Sequence, residues 1–261
     1  MDAVNIGDVS LGAGRPRIIV PLTGRSPDEL CGEAKELAFL PADVAEWRID
    51  FLPAETIRDT SLLRILQMLR SESKTPLLAT CRSLREGGLY CASESEYACL
   101  CGRLCGTGMI DAIDVEAFSS DVEVVRGIIA CAHDCGVTVV ASSHDFSATP
   151  DREEIIRRLC FMQDSLGADI LKIAVMPQKP ADVLTLLSAT DEMLALHAKK
   201  PLITMSMGPL GVISRVSGQF FGSCATFGCA RQASAPGQID VLTLKKMLDD
   251  LDYAYAENQK K

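Results

Sequence analysis

Short strand-like apolar runs alternate along the chain with longer amphipathic segments, and this alternation continues almost from end to end. Apolar positions that recur at helical spacing indicate helices packed on one face, and short apolar runs between them indicate buried strands. The predicted strands are residues 17–22, 44–50, 76–82, 109–116, 136–144, 170–176, 201–207 and 222–227. The predicted helices are residues 27–40, 54–71, 93–106, 121–135, 152–167, 181–199, 212–220 and 241–257.

Eight strands that alternate with eight helices predict an α/β fold, a closed parallel (β/α)8 TIM barrel. No linker-like segment interrupts the alternation, so we expect residues 1–261 to form one barrel domain. The alternative is an open doubly wound sheet, but no GxGxxG motif follows the first strand. Two short alternating pieces around Gly7 predict an N-terminal β-hairpin that closes the barrel floor.

Composition and charge narrow the range of partners. The 261 residues are 48% hydrophobic and 23% charged, which is ordinary for a chain with a sizeable core. A net charge of −9 argues against nucleic acid or an anionic membrane as a partner. A small anionic substrate is compatible with this charge, because local arginines can set the potential of a cleft. No signal-peptide pattern and no membrane-spanning apolar stretch is present, so we expect a cytoplasmic protein.

The chain contains 11 cysteines, and four of them cluster at Cys91, Cys99, Cys101 and Cys105. Such a cluster can suggest a metal site, but no CxxC pair and no nearby histidine completes the ligand set. We therefore expect reduced thiols that serve mainly as small apolar side chains.

Charged and apolar residues alternate at the end of the second predicted strand, where Glu46, Arg48 and Asp50 share one face and Trp47 and Ile49 share the other. In a barrel strand this parity directs the charged residues inward and the apolar pair toward the helices. The interior is then polar near the carboxyl ends of the strands, where barrel enzymes hold their chemistry. The same alternation directs inward Thr80, Arg82, Asp114, Glu116, Ser142, His144, Lys172, Met205 and Met207.

An alternative to a catalytic role is a structural lattice of ion pairs inside the barrel. Asp50, Asp114 and Glu116 are the candidates for such a lattice.

Lys172 lies in the middle of a nearly unbroken apolar run, residues 168–177. A buried ammonium is costly to desolvate unless it is paired or loses its proton. A neutral lysine amine is the usual nucleophile for an imine with a carbonyl substrate. The strand pattern alone is equally compatible with a lysine that extends its ammonium out of the strand end. The polar residues at the ends of the neighbouring strands favour the interpretation of Lys172 as a nucleophile.

Two further residues are candidates for acid–base chemistry. Of the three histidines, His133 and His197 fall in predicted helices, whereas His144 ends a strand and is the best candidate for a general acid and base. Glu86 precedes Gly87 and lies in a loop whose glycines suit a close approach of the backbone.

Eight motifs occur in a characteristic order: EWRID (46–50), TCRSLREGG (80–88), SSHDF (142–146), ADILKIAVMPQ (168–178), ITMSMG (203–208), GVISR (211–215), FGSCATFG (221–228) and QASAPGQI (232–239). With these motifs the chain resembles type I 3-dehydroquinate dehydratase over residues 18–251. The resemblance implies a (β/α)8 barrel, usually a homodimer, that converts 3-dehydroquinate to 3-dehydroshikimate in aromatic amino-acid biosynthesis. It implies neither a metal nor an organic cofactor.

The resemblance also implies roles for individual residues. Lys172 forms the imine with the C3 ketone, His144 removes the C2 proton and returns a proton to the departing C1 hydroxyl, and Glu86 holds the histidine. Arg215 corresponds to the clamp for the substrate carboxylate. The remaining binding residues are Glu46, Arg48 and Arg82 for the ring hydroxyls, Met205 and Met207 for an apolar wall, Ser234 and Gln238 on a mobile lid, and Phe227 beneath that lid.

Two alternatives stay open at the sequence level. A class I aldolase uses the same lysine chemistry, but a sugar-phosphate aldolase needs a glycine-rich phosphate cup after the last two strands. Here those loops offer Arg215 and the sequence SAPGQ. A catalytically inactive barrel scaffold is the second alternative, and intact Lys172, His144 and Glu86 argue against it.

Overall fold

The structure is a computed structural model, and it describes residues 2–259. The strands are β1 Val4–Ile6, β2 Val9–Leu11, β3 Arg17–Leu22, β4 Val44–Arg48, β5 Leu77–Thr80, β6 Ala112–Glu116, β7 Thr138–Asp145, β8 Ile170–Val175, β9 Leu202–Ser206, β10 Ala225–Cys229 and β11 Ile239–Asp240. The α-helices are α1 Pro27–Leu37, α2 Ala54–Arg58, α3 Ser61–Glu72, α4 Glu94–Cys105, α5 Val122–Asp134, α6 Arg152–Cys160, α7 Pro180–Glu192, α8 Val212–Val216, α9 Gly218–Phe221 and α10 Val241–Gln259. The expected domain 1–261 also includes Met1, Lys260 and Lys261, which lie outside the described residues.

Strands β3 to β10 form the wall of a parallel barrel. Each pairs with the next in chain order from β3 to β9, and β10 pairs with β3. The seam between β9 and β10 is joined by a bridge between Leu202 and Ser223, where the Cys224 amide donates to the Leu202 carbonyl at 2.7 Å. The Ser223 hydroxyl accepts from the Thr204 amide at 3.1 Å and extends this seam. The predicted (β/α)8 barrel is confirmed.

The hairpin of β1 and β2 lies against the amino ends of the barrel strands. Ile6 and Leu11 are fully buried and pack with apolar side chains of the barrel interior. The Thr138 hydroxyl at the start of β7 donates to the Asn5 carbonyl at 2.8 Å. Gly7, with φ of +58°, approaches the ring of the proline that precedes β5. The hairpin is therefore present at the end of the barrel opposite the polar strand ends.

In two places, a segment that was predicted as one amphipathic helix forms two helices in the structure. Residues 54–71 form two helices, because the Asp59 carboxylate accepts from the Thr60 amide at 2.6 Å and from the Ser61 hydroxyl at 3.1 Å. Local hydrogen bonds of this kind compete with the helical ones. Residues 212–220 likewise divide, at Ser217, into α8 and α9.

Two predicted helices end in π-helical turns, at Phe161–Ser165 and Met193–His197. The two-residue strand β11, which pairs with β10 and immediately precedes α10, was not predicted. Among the described residues, no helix is long and apolar enough to cross a bilayer.

The barrel wall separates two apolar layers. Trp47 and Ile49 are fully buried in the layer between the sheet and the helices, as the strand parity predicts. A smaller cluster fills the inside of the barrel and contains Ile19, Val44 and Leu78 toward the amino ends of the strands. The polar side chains lie beyond this cluster, at the carboxyl ends, and their position there makes the site.

Candidate active site

A cavity opens at the carboxyl ends of the barrel strands. Every predicted site residue except Arg215 contributes to its lining. The lining residues are Glu46, Arg48, Thr80, Arg82, Glu86, Gly87, His144, Phe146, Lys172, Ala174, Met205, Met207, Phe227, Ser234, Ala235 and Gln238.

Lys172, on β8, is only 4% exposed, and its amine lies among groups that favour a positive charge. Nζ is 2.9 Å from Asp114 Oδ2 and 3.7 Å from Glu46 Oε1. It also lies 4.7 Å from the centroid of the Phe227 ring, within reach of a cation–π contact. The cost of burying the lysine is thus offset by pairing, one of the two outcomes that the apolar run left open.

Asp114 is the centre of a buried network. Its carboxylate accepts from Lys172 at 2.9 Å and from the Ser142 hydroxyl at 2.6 Å, and it pairs with Arg82 at 2.9 Å. Burial opposes ionisation of this carboxyl, but the charges of Arg82 and Lys172 outweigh burial and hold the pKa of Asp114 well below its ordinary value. Asp114 therefore belongs to the predicted ion-pair lattice and also contacts the candidate nucleophile.

The His144 ring is oriented by Glu86. Its Nδ1 is 2.8 Å from Glu86 Oε2, and its backbone amide donates to the same oxygen at 3.1 Å. The Ser119 hydroxyl donates to the other carboxyl oxygen of Glu86 at 3.2 Å. With Nδ1 engaged, Nε2 is the ring nitrogen left to exchange a proton with a bound molecule.

Burial shifts both members of this pair away from the charged form. It raises the pKa of Glu86 to about 8, against the opposing charge of Arg82. Burial, together with the charges of Arg82 and Lys172, lowers the pKa of His144 well below its ordinary value. The imidazole is therefore neutral at neutral pH and can act as a base.

The loop that carries Glu86 needs glycine at two positions. A Cβ on Gly88 would lie 2.1 Å from the Arg82 carbonyl oxygen, and a Cβ on Gly87 would lie 2.4 Å from the Phe146 ring. Gly87 also has a φ of +77°, which favours glycine. The close approach predicted from the glycine pair is confirmed, and it brings Glu86 back over the end of β5.

The arginines of the cavity are fixed by buried carboxylates. Arg48 binds Asp50 through Nε and Nη2, each at 2.8 Å, in a bidentate pair. Arg82 Nη1 contacts Glu86 at 3.3 Å and Glu116 at 3.2 Å. Both guanidinium groups are therefore held in fixed positions before any ligand arrives.

Residues 232–238 cover the mouth of the cavity and are held there by main-chain contacts. Arg48 donates to the Ser234 carbonyl at 3.2 Å, and the Gly208 amide donates to the Pro236 carbonyl at 3.2 Å. Gln238 bonds both the amide and the hydroxyl of Ser234, at 2.7 Å and 3.0 Å. The segment predicted as a lid thus lies beside the site and contributes Ser234, Ala235 and Gln238 to the cavity lining.

Arg215 lies behind the cavity wall and is not among the residues that line the cavity. The side chain is 1% exposed, its Nη2 donates to the Pro236 carbonyl at 2.9 Å, and its Nη1 is 3.8 Å from Met205 Sδ. Within residues 2–259 its Nε has no hydrogen-bond partner and no carboxylate pairs with it. Burial lowers its pKa to about 10, so it remains cationic.

Parity and spacing did not identify several residues of the site. Phe146 and Ala174 line the cavity, and Ser119 supports Glu86 from the loop after β6. Each lies at or near the carboxyl end of a barrel strand, and Phe146 and Ala174 also share the strand parity of His144 and Lys172, a signal that could have identified them. In residues 2–259, no cluster of three or more His, Cys, Asp or Glu side chains is arranged to hold a metal ion.

A barrel with a buried lysine, a histidine–glutamate pair and fixed arginines at its carboxyl end has the features of enzymes that act through a lysine imine. Comparison with known proteins gives the family. The profile of the type I 3-dehydroquinase family matches residues 18–254, and the chain belongs to this family.

Individual relatives agree with this assignment along nearly the whole chain. The chain is 47% identical over 251 residues to a 3-dehydroquinate dehydratase from Syntrophotalea carbinolica. The aligned residues make up 95% of this chain and 98% of that protein. The fold of this chain matches a crystal structure of the type I 3-dehydroquinate dehydratase from Clostridium difficile with covalently modified comenic acid. The TM-score is 0.92 and the sequence identity is 45%, over 97% of this chain and 98% of the other. A 3-dehydroquinate dehydratase from Geobacillus kaustophilus matches at 0.91 and 36%, over 97% of each chain.

Proposed function

We propose that this protein is a hydro-lyase that converts 3-dehydroquinate to 3-dehydroshikimate through an imine on Lys172. The observation that carries the proposal is the arrangement of Lys172 and the His144–Glu86 pair around one cavity. This reaction is a step of the shikimate pathway, which leads to the aromatic amino acids.

The Lys172 ammonium first gives up one proton, and the neutral amine then attacks the C3 ketone. The ketone oxygen takes up that proton and a second one from the nitrogen and leaves as water, which gives the iminium. The resulting iminium carries a positive charge next to C2 and withdraws electrons from the C2–H bond, so an ordinary base can remove that proton. His144 and Lys172 lie on neighbouring strands, with His144 two residues beyond the register partner of Lys172. This stagger directs the imidazole at a ring atom next to the imine carbon.

His144 acts as base and then as acid. Its neutral ring takes the C2 proton at Nε2, and the imidazolium formed keeps its hydrogen bond to Glu86 through Nδ1. The same proton then passes to the C1 hydroxyl, which departs as water, and the ring returns to its neutral form. Because its pKa lies below the ordinary value, the imidazolium is a strong enough acid for this second step.

The polar side chains of the cavity bind the substrate ring. Glu46, Arg48 and Arg82 contact the ring hydroxyls, and Met205 and Phe227 form an apolar wall. A buried polar group that loses its partner penalises the wrong ligand strongly, so these contacts give specificity.

Arg215, Ser234 and Gln238 act together with the lid. Arg215 carries an uncompensated charge and a free Nε beneath the lid, and we assign it to the substrate carboxylate. Closure over the ligand excludes the water that would hydrolyse the imine too early. After the C1 hydroxyl has left, one water molecule hydrolyses the product iminium, which restores the C3 ketone and the Lys172 amine. Opening of residues 232–238 admits the substrate and releases the free product.

We also propose that residues 1–261 form one domain, that the protein is cytoplasmic and that it is a homodimer. An exposed apolar patch supports self-association, because such patches mark contact surfaces. The patch comprises Leu194, Leu210, Ile213, Phe220 and Tyr255, and the rings of Phe220 and Tyr255 pack at 5.7 Å.

Borohydride reduction in the presence of 3-dehydroquinate, followed by peptide mass spectrometry, tests the proposed function. We expect a covalent adduct on Lys172 in the natural protein and none in Lys172→Ala. In a parallel assay, absorbance of the conjugated enone product distinguishes dehydration from the carbon–carbon cleavage of an aldolase. An adduct on another residue, or product formation with no adduct, would contradict the proposal.

A further inference from the structure

Asp114 is the carboxylate closest to the Lys172 amine within the part of the chain that the structure describes. It is 2% exposed, lies 2.9 Å from Nζ, and accepts a 2.6 Å hydrogen bond from the Ser142 hydroxyl. Ser142 is the register partner of Lys172 on β7, the strand between β6 and β8. Its small side chain leaves room for Asp114 to reach the lysine across that strand.

The charge at this nitrogen is the same before and after imine formation. The lysine ammonium and the ketone become an iminium and one water molecule, and the water carries the ketone oxygen and the two protons that the nitrogen gives up. One positive charge stands on each side of this balance. A carboxylate that pairs with the ammonium therefore keeps a cationic partner when the ammonium becomes an iminium.

From this geometry we propose that Asp114 is the counter-ion of the iminium, a catalytic residue that keeps the imine nitrogen protonated throughout turnover. The inference rests on the proposed function, since it concerns the same imine. Only the protonated imine is a strong electron sink, and a neutral imine would leave the C2 proton too weakly acidic for His144. A fixed charge beside the reacting atom supplies this stabilisation without reorganisation.

Two other carboxylates are less suited to this role. Glu46 lies 3.7 Å from Nζ and accepts a hydrogen bond from Thr80, on the cavity side of the lysine. Glu116 binds Arg82 and Ser83 and makes no contact with Lys172. The charged and titratable groups that face Asp114 and Lys172 are Glu46 from β4, Arg82 after β5, Glu116 from β6, His144 from β7 and Glu86 from the loop after β5.

The test compares Asp114→Asn with Glu116→Gln, a matched control that also removes a buried carboxylate bound to Arg82. Each protein is incubated with 3-dehydroshikimate from about pH 6 to about pH 9. The adduct on Lys172 is then trapped with cyanoborohydride, which reduces the protonated imine, or with borohydride, which reduces both forms. The ratio of the two initial trapping rates at each pH reports the protonated fraction, and kcat is measured in parallel.

In the natural protein and in Glu116→Gln we expect the protonated fraction to stay high across the range. In Asp114→Asn, the pH at which half of the imine is protonated should be lower than in the natural protein by about one unit or more, because the neighbouring negative charge is gone. We expect kcat of Asp114→Asn to fall by about 100-fold or more. A purely structural role for Asp114 would lower thermal stability without moving the pH dependence of trapping.

An Asp114→Asn profile that coincides with that of Glu116→Gln would overturn the inference and leave the proposed function standing. Absence of any Lys172 adduct in the natural protein would overturn both. If Asp114→Asn does not fold, Asp114→Glu, which retains the charge, is measured instead. It should keep the natural pH profile of trapping, and a lowered profile would overturn the inference.

Discussion

His144 and Glu86 show how the barrel interior sets acid–base properties one residue at a time. Both are buried, and burial disfavours the charged form of each, so the pKa of the histidine falls while that of the carboxyl rises. The hydrogen bond between them fixes which ring nitrogen is free. A single histidine can therefore accept and return a proton at neutral pH.

Replacement of His144 by alanine should leave imine formation intact and remove the proton transfer. We expect borohydride to trap the Lys172 adduct in His144→Ala, with kcat lower by about 10² to 10⁴. Since the pKa of His144 lies below its ordinary value of 6.5, kcat/KM of the natural protein should not fall until the pH is below that value.

His133→Ala is the control, because His133 is exposed on α5 and bonds Asp169 instead of a cavity residue. It should retain natural turnover and the natural pH profile. Near-normal turnover of His144→Ala would show that the proton transfers belong to another group.

Replacement of the ionisable Glu86 carboxyl by an amide should alter the free energy of unfolding in a pH-dependent way. The folded protein raises the pKa of this carboxyl from 4.5 to about 8. Its contribution to the free energy of unfolding is therefore largest below pH 4.5 and is lost as the pH rises through 8. Glu86→Gln has no such loss. In urea denaturation the variant should gain a few kcal/mol relative to the natural protein between about pH 5 and about pH 9. A constant difference across this range would contradict the raised pKa.

Strand parity predicted which side chains face the barrel interior, and it identified Lys172, His144 and Arg82 correctly as inward residues. It did not predict that Asp114 bonds Lys172, because parity gives direction and not the distance across an intervening strand. The position of Arg215 behind the wall was also beyond prediction. Its guanidinium is fixed by a lid carbonyl, a contact between segments 21 residues apart that local patterns do not encode.

At the scale of elements, the lid depends on one glycine. Gly237 has a φ of +75°, and a Cβ there would lie 2.4 Å from the Gly208 carbonyl oxygen at the end of β9. The closed position of residues 232–238 therefore requires both the left-handed backbone and the missing side chain. Core residues are little involved, so this contact can be altered without unfolding the barrel.

Gly237→Ala should impair lid closure. We expect KM to rise and kcat to fall, each by about tenfold or more, because the substrate contacts of the lid are lost and water enters the site. Gly14→Ala is a matched control, since Gly14 also has a φ of +75° but no atom within 4 Å of the added Cβ. Equal kinetic effects in the two variants would show that backbone strain, and not the lid contact, is responsible.

The element boundaries show where sequence patterns lose information. The alternation predicted all eight barrel strands, but the helical pattern of residues 54–71 continues through the break at Asp59. Apolar spacing reports which face is buried, whereas a break depends on a side chain that bonds its own backbone. The short strand β11 carries too few residues to show any period.

At the scale of the whole molecule, the barrel divides its interior along its axis. Apolar side chains and the β1–β2 hairpin close the amino end, and charged side chains occupy the carboxyl end. The apolar part provides the stability that an interior with many buried charges lacks, because a buried ion pair contributes little net free energy. The charged side chains, whose burial is unfavourable, are thus confined to the carboxyl end of the barrel, where the candidate active site lies.

The exposed apolar patch predicts the assembly state. It lies on helices α8, α9 and α10 and on adjoining turns, and α8 also carries Arg215, which bonds the lid at Pro236. Ile213→Glu places a charge in the middle of the patch, and an unpaired charge in an apolar interface is strongly unfavourable. We expect the natural protein to sediment as a dimer and Ile213→Glu as a monomer.

Phe39→Glu is the control, because Phe39 is 86% exposed and lies outside the patch. It should sediment like the natural protein. A dimer that persists in Ile213→Glu would place the contact elsewhere, and a monomeric natural protein would contradict self-association altogether. Because Lys172, His144 and Glu86 are brought together within one chain, the monomeric variant should still form the Lys172 adduct. Loss of the adduct on dissociation would mean that the second copy stabilises the lid or the barrel.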